Sequence, residues 1–316
     1  MNQPLSQEPQ PASSYPFVSV IIPVYNDAGR LKICLEALAN QTYPQSQYEI
    51  IVIDNGSDAV EQVEAVVAQY PNAIATQELK PGSYAARNHG LTLTKGEVIA
   101  FTDADCVPAV DWLEKGVHHL LTTLNCGQVV GKVEIFFENP DRPTPVELYE
   151  SVTAFPQERL LQQFRGGATA NVLTWRKVID QVGSFNDRLK SNGDLEWGKR
   201  VFLAGYQQVY AADVQVGHPA RRSLNELHKR TVRLSGGVYD LYIQQDASFW
   251  ERNKTFARLL LNDLVPPVNF IVNTFKNPKL NRLGYKVKVS LVFFFVRYIS
   301  AWEKTRLKFG GVSDRG

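Results

Sequence analysis

Apolar positions along the first hundred residues switch period in a regular way. Phe17 to Val24 is a nearly unbroken apolar, β-branched run, the pattern of a strand covered on both faces. From Asp27 to Asn40 the apolar residues recur at helical spacing, with Leu31, Cys34, Leu35 and Leu38 on one face. The alternation repeats with a strand over Tyr48 to Asp54 and a helix over Ser57 to Tyr70, whose Val60, Val63, Val66 and Val67 point inward. A short strand over Ala73 to Gln77, a helix over Ser83 to Thr94 and a strand over Glu97 to Thr102 follow. Strands alternating with helices at this period predict parallel βαβ units. In such sheets ligands bind at the carboxyl ends of the strands, where Asp54 and Asp103 stand.

Beyond Trp112 the pattern loosens. Gln128 to Phe137 reads as a long strand, and Pro140, Pro143 and Pro145 mark a loop. Gly166 to Leu173 leads from glycine into a strand, and Leu195 to Leu203 is helical. Tyr206 to Val216 predicts two short strands parted near Ala212-Asp213, and Ser223 to Leu234 a basic helix. From Leu264 to Trp302 no acidic residue occurs, while Lys276, Lys279, Arg282, Lys286, Lys288 and Arg297 do. That shift in composition suggests a boundary near Gly236-Gly237. It divides a domain over residues 17–237 from a basic, apolar helical region over 238–316.

The chain of 316 residues is 44% hydrophobic and 21% charged, as expected of a globular protein with a sizeable core. A net charge of +2 and the lack of a recognition motif argue against nucleic-acid binding. Cys34, Cys106 and Cys126 are too scattered for a disulfide framework or a zinc site, which points to a reducing, cytoplasmic setting. Residues 1–16, rich in Gln, Pro and Ser, read as a disordered tail and carry no secretory signal.

The chemistry concentrates at Thr102-Asp103-Ala104-Asp105-Cys106, directly after the apolar run Val98 to Phe101. Two carboxylates at the end of a buried strand suit a hard divalent cation, Mg²⁺ or Mn²⁺, that holds a phosphorylated substrate. A turn in which the aspartates bond their own backbone is the plainer reading of the same residues. Asp111, just before Trp112, is the better candidate to cap the following helix.

In order along the chain stand Val18 to Asn26, Glu49 to Ser57, Ala86-Arg87-Asn88-His89-Gly90, Thr102-Asp103-Ala104-Asp105, Gly183-Ser184-Phe185 and Gly193-Asp194-Leu195-Glu196. Together they resemble the family 2 glycosyltransferases. That resemblance implies an α/β GT-A fold, with a mostly parallel Rossmann-like sheet flanked by helices and a C-terminal helical appendage. It spans roughly Phe17 to Gly237. Asn55, where many relatives carry a second aspartate, and Gly193 before Asp194, where many carry glutamate, depart from the family pattern. No Gln-x-x-Arg-Trp of the processive synthases occurs, which favours a single transfer.

The resemblance implies a role for each position. Asp105 ligates the metal directly, and Asp103 contacts the ribose or the metal. Asp194 is the base of an inverting transfer; its residue type alone reads equally as a carboxylate at a helix start. Pro23, Tyr25 and Asn26 adjoin the base and ribose, and Asp54 meets the nucleobase imide, which makes a UDP-sugar the default donor. Lys80 and Arg87 contact base or phosphates, although Arg87 reads equally as the partner of a carboxylate at the sheet edge. Gly166 and Gly167 admit the donor sugar close to backbone, or else form a bulge. His218 completes the metal shell, as in some relatives, or is a hydrogen-bonded structural residue. Cys106 reads as a small buried packing residue.

Val289 to Val296 is strongly apolar yet too short to span a bilayer. Flanked by Lys286, Lys288, Arg297, Lys304 and Arg306, it suits a helix lying on an anionic membrane surface. A helix that closes the core or a dimer contact is the alternative. Arg221, Arg222, Lys229, Arg230 and Arg233 are placed to bind a donor diphosphate or an anionic, lipid-linked acceptor. The sum is a metal-dependent glycosyltransferase of cell-surface polysaccharide or glycolipid synthesis, peripheral at the inner face of the plasma membrane. A nucleotidyltransferase would carry a Gly-rich phosphate loop where Pro23-Val24-Tyr25-Asn26 stands. An inactive scaffold would have no need of Asp103, Asp105 and Asp194.

Overall fold

Eight strands among the described residues form one mixed sheet in the order β3-β2-β1-β4-β7-β6-β8-β5. The computed structural model describes residues 15–243 and 248–313, so nearly all of the expected N-terminal tail lies outside the described residues. The parallel half is β1 (Val18–Val24), β2 (Tyr48–Asp54), β3 (Ala73–Gln77) and β4 (Val98–Thr102). β7 (Asn171–Trp175) runs antiparallel to β4 and to β6 (Cys126–Phe136). β8 (Gln207–Pro219) pairs parallel with β6, and the short β5 (Val107–Pro108) closes the edge antiparallel to β8.

Alternation along the central strands sorts side chains to two cores. Val18, Val20 and Ile22, Ile50 and Val52, and Val98 and Ala100 face one layer. That layer holds α1 (Ala28–Ala39), α2 (Val63–Val67) and α4 (Trp112–Thr122). Ile21, Ile51, Ile53, Ile99 and Phe101 face the other, with α3 (Ser83–Leu93), α6 (Gln157–Phe164), α7 (Arg176–Val182) and α8 (Gly193–Leu203). β1, β2 and β4 are buried on both faces because helices cover both, which explains their unbroken apolar sequence.

Three expectations fail for local reasons. The helix expected from Ser57 to Tyr70 breaks into a 3₁₀ turn over Ala59–Glu61 and the five-residue α2, with Gln62 left-handed between them. The Asp58 N–H bonds Asn26 Oδ1, and Glu61 accepts the Ala28 N–H, so this stretch is tied to the turn before α1. Val60, expected inward, is 82% exposed. Pro145 opens α5 (Pro145–Thr153) instead of extending a loop, since Thr144 and Glu147 form a capping box and proline needs no N–H at the first helical position. The break near Ala212-Asp213 is a bulge within one long β8, opposite Gly131 and Lys132 of β6.

The C-terminal region is helical: α9 (Leu224–Tyr242), α10 (Phe249–Leu264), α11 (Val268–Lys276) and α12 (Leu283–Lys308). Gly236 and Gly237 lie inside α9, which runs on without interruption. α12 packs on α5, α9, α10 and α11, and Val289 and Val292 share a core with Val146, Tyr149 and Leu227. Several expected membrane-flanking cations bond within this bundle. Lys304 meets Asp263, Arg297 bonds carbonyls at the end of α10, Arg306 meets Glu303, and Lys286 bonds the Phe275 carbonyl.

Gly237 lets α9 press on the loop before α8, where an added Cβ would lie 2.5 Å from Ser191 Cβ and 3.1 Å from its Cα. Gly237→Ala should destabilise by roughly 1–3 kcal/mol through overpacking. Gly29→Ala in α1 meets nothing within 4 Å and should stabilise by up to about 1 kcal/mol. Denaturant titrations of both variants check the contrast.

Candidate active site

A cavity of about 630 Å³ opens where β1 and β4 end, and α5, α6, α8 and α9 supply its other walls. Pro23, Tyr25 and Asn55 line it from the first two strands, and Asp103 and Asp105 from the turn after β4. Arg87 on α3 bonds Asp103 Oδ1, with the guanidinium side chain 4% exposed and the carboxylate side chain 30% exposed. Of the two readings of Arg87, the carboxylate partnership is the one seen.

Asp105 faces His218 at the end of β8. His218 Nδ1 lies 2.7 Å from the Pro219 carbonyl, and a carbonyl only accepts, so Nδ1 carries the proton. Nε2 of a neutral ring is then bare, and it points at Asp105 Oδ2 from 3.3 Å. Two acceptors so placed need a shared proton or a cation between them. Phe155 packs on the His218 ring at 4.6 Å between centroids and fixes its plane. Arg30 approaches the same carboxylate oxygen to 3.8 Å. Donor atoms of Asp103, Asp105 and Cys106 lie within 4.8 Å of one another. Burial pushes the Cys106 thiol well up, with the two aspartates adding to it, so it stays a protonated packing residue. Asp103 and Asp105 are the oxygen donors that could hold a divalent ion here, and His218 Nε2 faces Asp105 beside them.

Asp194 sits in the first turn of α8, after Asn192 in the left-handed region (φ 62°). Its Oδ1 accepts from the Tyr84 hydroxyl at 3.2 Å and the Leu195 N–H at 3.0 Å. Tyr84 in turn accepts the Gly193 N–H at 2.9 Å, so one phenol pins both the carboxylate and its backbone. Burial raises the Asp194 pKa, and Arg87 offsets part of the rise. The loop carrying it is held from behind: Lys190 bonds the Ser313 carbonyl, and Ser313 Oγ donates to Asp240 of α9 at 2.8 Å.

Other expected residues lie outside the cavity lining. Asn26, left-handed at φ 50°, bonds Asp58 and links two loops. Asp54 accepts the Ser57 N–H at 2.9 Å in an Asx turn. Lys80 pairs with Asp187 at 2.6 Å. A Cβ on Gly166 would lie 2.9 Å from Leu195 Cα, and one on Gly167 2.4 Å from a Val130 methyl, so these glycines admit protein rather than open space. Asp111 stands at the start of α4 without a capping bond and pairs with Lys115 at 2.7 Å.

Sequence reasoning missed Tyr84, Asn55 and Asn192. Tyr84 was within reach, since it stands three residues before Arg87 and shares its helix face. Asn55 braces the loop ahead of α3 through bonds to the carbonyls of Glu78 and Lys80 and the Gly82 N–H.

Residues 19–185 match the model of glycosyl transferase family 2. Glycosyltransferase AglE of Haloferax volcanii is 35% identical over 296 residues, 92% of this chain and 93% of its own length. The pre-mycofactocin glycosyltransferase of Mycobacterium tuberculosis is 27% identical over 75% of this chain, which spans 50% of that protein. Among solved structures, the mannosyltransferase PcManGT from Pyrobaculum calidifontis, in complex with GDP-Man and Mn²⁺, superposes with a TM-score of 0.58 at 18% identity. It covers 95% of this chain and 90% of that one. S. aureus TarS 1–349 superposes with a TM-score of 0.52 at 16% identity, over 93% and 92% of the two chains. These two likenesses show the GT-A fold.

A raised carboxyl pKa in the folded state means that folding disfavours the ionised form. Stability from this group is therefore full below the unfolded carboxylate range and lost as pH climbs through the raised folded value. Asp194→Asn removes that loss. The variant should melt higher than the parent at pH 8, and the gap should close toward pH 4; thermal melts at both pH values check the sign.

Proposed function

This chain belongs to glycosyl transferase family 2, and we propose that it transfers a single sugar, with inversion, from a nucleoside-diphosphate donor to an acceptor hydroxyl. Its activity is glycosyl transfer in polysaccharide or glycoconjugate synthesis. The observation that carries the finer reading is His218 Nε2 facing Asp105 Oδ2 at 3.3 Å inside the cavity, beside Asp103. Asp105 and His218, with Asp103 beside them, are the residues that would hold Mg²⁺ or Mn²⁺. A bound ion supplies positive charge against the leaving diphosphate.

Asp194 takes the proton of the acceptor hydroxyl. Its raised pKa makes it a better base than an ordinary aspartate, and Tyr84 fixes its orientation. Arg87 holds Asp103 in place and keeps Asp194 ionisable. Pro23, Tyr25 and Asn55 form the wall on which the nucleoside rests. A UDP-sugar is the first donor to test, and GDP-mannose, bound in the Pyrobaculum mannosyltransferase, the second.

No helix among the described residues is long and apolar enough to cross a membrane. The C-terminal helices nevertheless expose Trp250 (79%) and Trp302 (62%) along with Leu264 and Leu291. Lys276, Lys279, Arg282 and Lys288 are exposed on the same region. Contact with an anionic inner leaflet, close to a lipid-linked acceptor, suits this mixture.

Three measurements test these readings. Asp105→Ala should melt like the parent and lose Mn²⁺-dependent transfer by at least about 10²-fold. Asp194→Asn should lose ~10²–10⁴-fold in turnover while still binding nucleotide; lost binding would make it structural. In co-sedimentation at low salt, the protein should pellet with anionic vesicles, and failure to do so removes the membrane assignment.

A further inference from the structure

One wall of the cavity carries charge that the transfer chemistry above leaves unused. Arg221, Arg230 and Arg233 all line it, the last two three residues apart on one face of α9. Between them they share one buried carboxylate. Glu150, 0% exposed on α5, meets Arg221 at 3.0 Å and Arg230 at 3.9 Å. Arg233 has no ion-pair or hydrogen-bond partner among the described residues, although it lies in electrostatic reach of Asp103 and Asp194. Three guanidiniums, two of them paired with one carboxylate, make this wall of the cavity positive, while Asp103, Asp105 and Asp194 line the same cavity. Burial lowers the pKa of Arg230 and Arg233, and Arg221 lowers both further. Guanidinium does not discharge in proteins, so all three side chains stay charged and able to meet an anion.

We propose that Arg221, Arg230 and Arg233 form a phosphoryl-binding subsite on the α9 wall, distinct from the Asp105–His218 donor set. The planar donor forks of arginine match the tetrahedral oxygens of phosphate and bind it by charge-assisted hydrogen bonds. Glu150 holds Arg221 and Arg230 from behind, leaving Arg233 as the group with all its donors available. The phosphoryl group belongs either to the acceptor, next to Asp194, or to the donor diphosphate. The choice between those sources rests on the glycosyl-transfer reading; the existence of the subsite does not.

The test uses the full chain without nucleotide. Inorganic phosphate and glycerol 3-phosphate should each raise the melting temperature of the parent. Arg233→Gln, which removes an unpaired cation and keeps a good helix former, should melt no lower than the parent in phosphate-free buffer. It should bind phosphate at least about tenfold more weakly by calorimetry, and Arg233→Lys should recover part of the affinity. Arg230→Gln serves as a second variant with the same expected loss. A second arm repeats the titration with saturating UDP or GDP and Mn²⁺. Phosphate affinity that survives assigns the subsite to a phosphate on the acceptor, and affinity that disappears assigns it to the donor diphosphate. Phosphate affinity equal to the parent in both variants overturns the subsite. The first arm needs no nucleotide, so failure of the sugar-transfer reading would leave its outcome unchanged.

Discussion

Arg87 is the side chain on which the site's electrostatics depend. Asp103, Asp105 and Asp194 share one cavity, and like charges so placed repel one another. Arg87, buried on α3, bonds Asp103 directly and lowers the pKa of Asp194 against its burial. The pairing also serves Arg87, since a buried cation without a partner is strongly unfavourable. α3 can place it there because β2 and β4 flank β1, so the helix between β3 and β4 lies over the sheet's centre with its first turn at the strand ends.

The C-terminal helices are part of the site. Arg230, Arg233 and Leu234 of α9 form cavity wall, and Gly237 lets that helix bear on the loop that precedes Asp194. Ser313 crosses from the end of the chain to both Lys190 and Asp240. The 190–194 loop is therefore held between Tyr84 on the sheet side and α9 on the other. In the proposed role of Asp194 as base, such rigidity would keep the carboxylate within hydrogen-bond range of the acceptor hydroxyl. The family model ends at residue 185, just ahead of this arrangement.

Much of the fold was legible because local pattern and burial agree. The runs that became β1, β2 and β4 are apolar at every position because helices cover both faces of the sheet. Where the sequence misled, a distant residue had intervened. Asn26 and Glu61 broke the expected second helix through bonds across two loops, and β6 held the two halves of β8 together past a bulge. Asp103, Asp105, Asp194 and His218, singled out from short motifs and the family resemblance, line one cavity, while Asp54 does not. Tyr84 carries no motif and acts only through its place on α3.

Hydrophobic period and short acidic motifs, then, determined by themselves the α/β character of the chain, its strand ends and the carboxylates that stand there, because both are written in neighbouring residues. Which carboxylates face a cavity, which glycines make room for protein, and which cations go unpaired was decided only in three dimensions. Asp54 and Asp105 look alike in sequence, each closing a strand-end motif. One turns back to its own backbone at Ser57, while the other meets a histidine more than a hundred residues away. Charge pairing depends on distance through space, and that distance is set by how the sheet and the C-terminal helices close around the cavity.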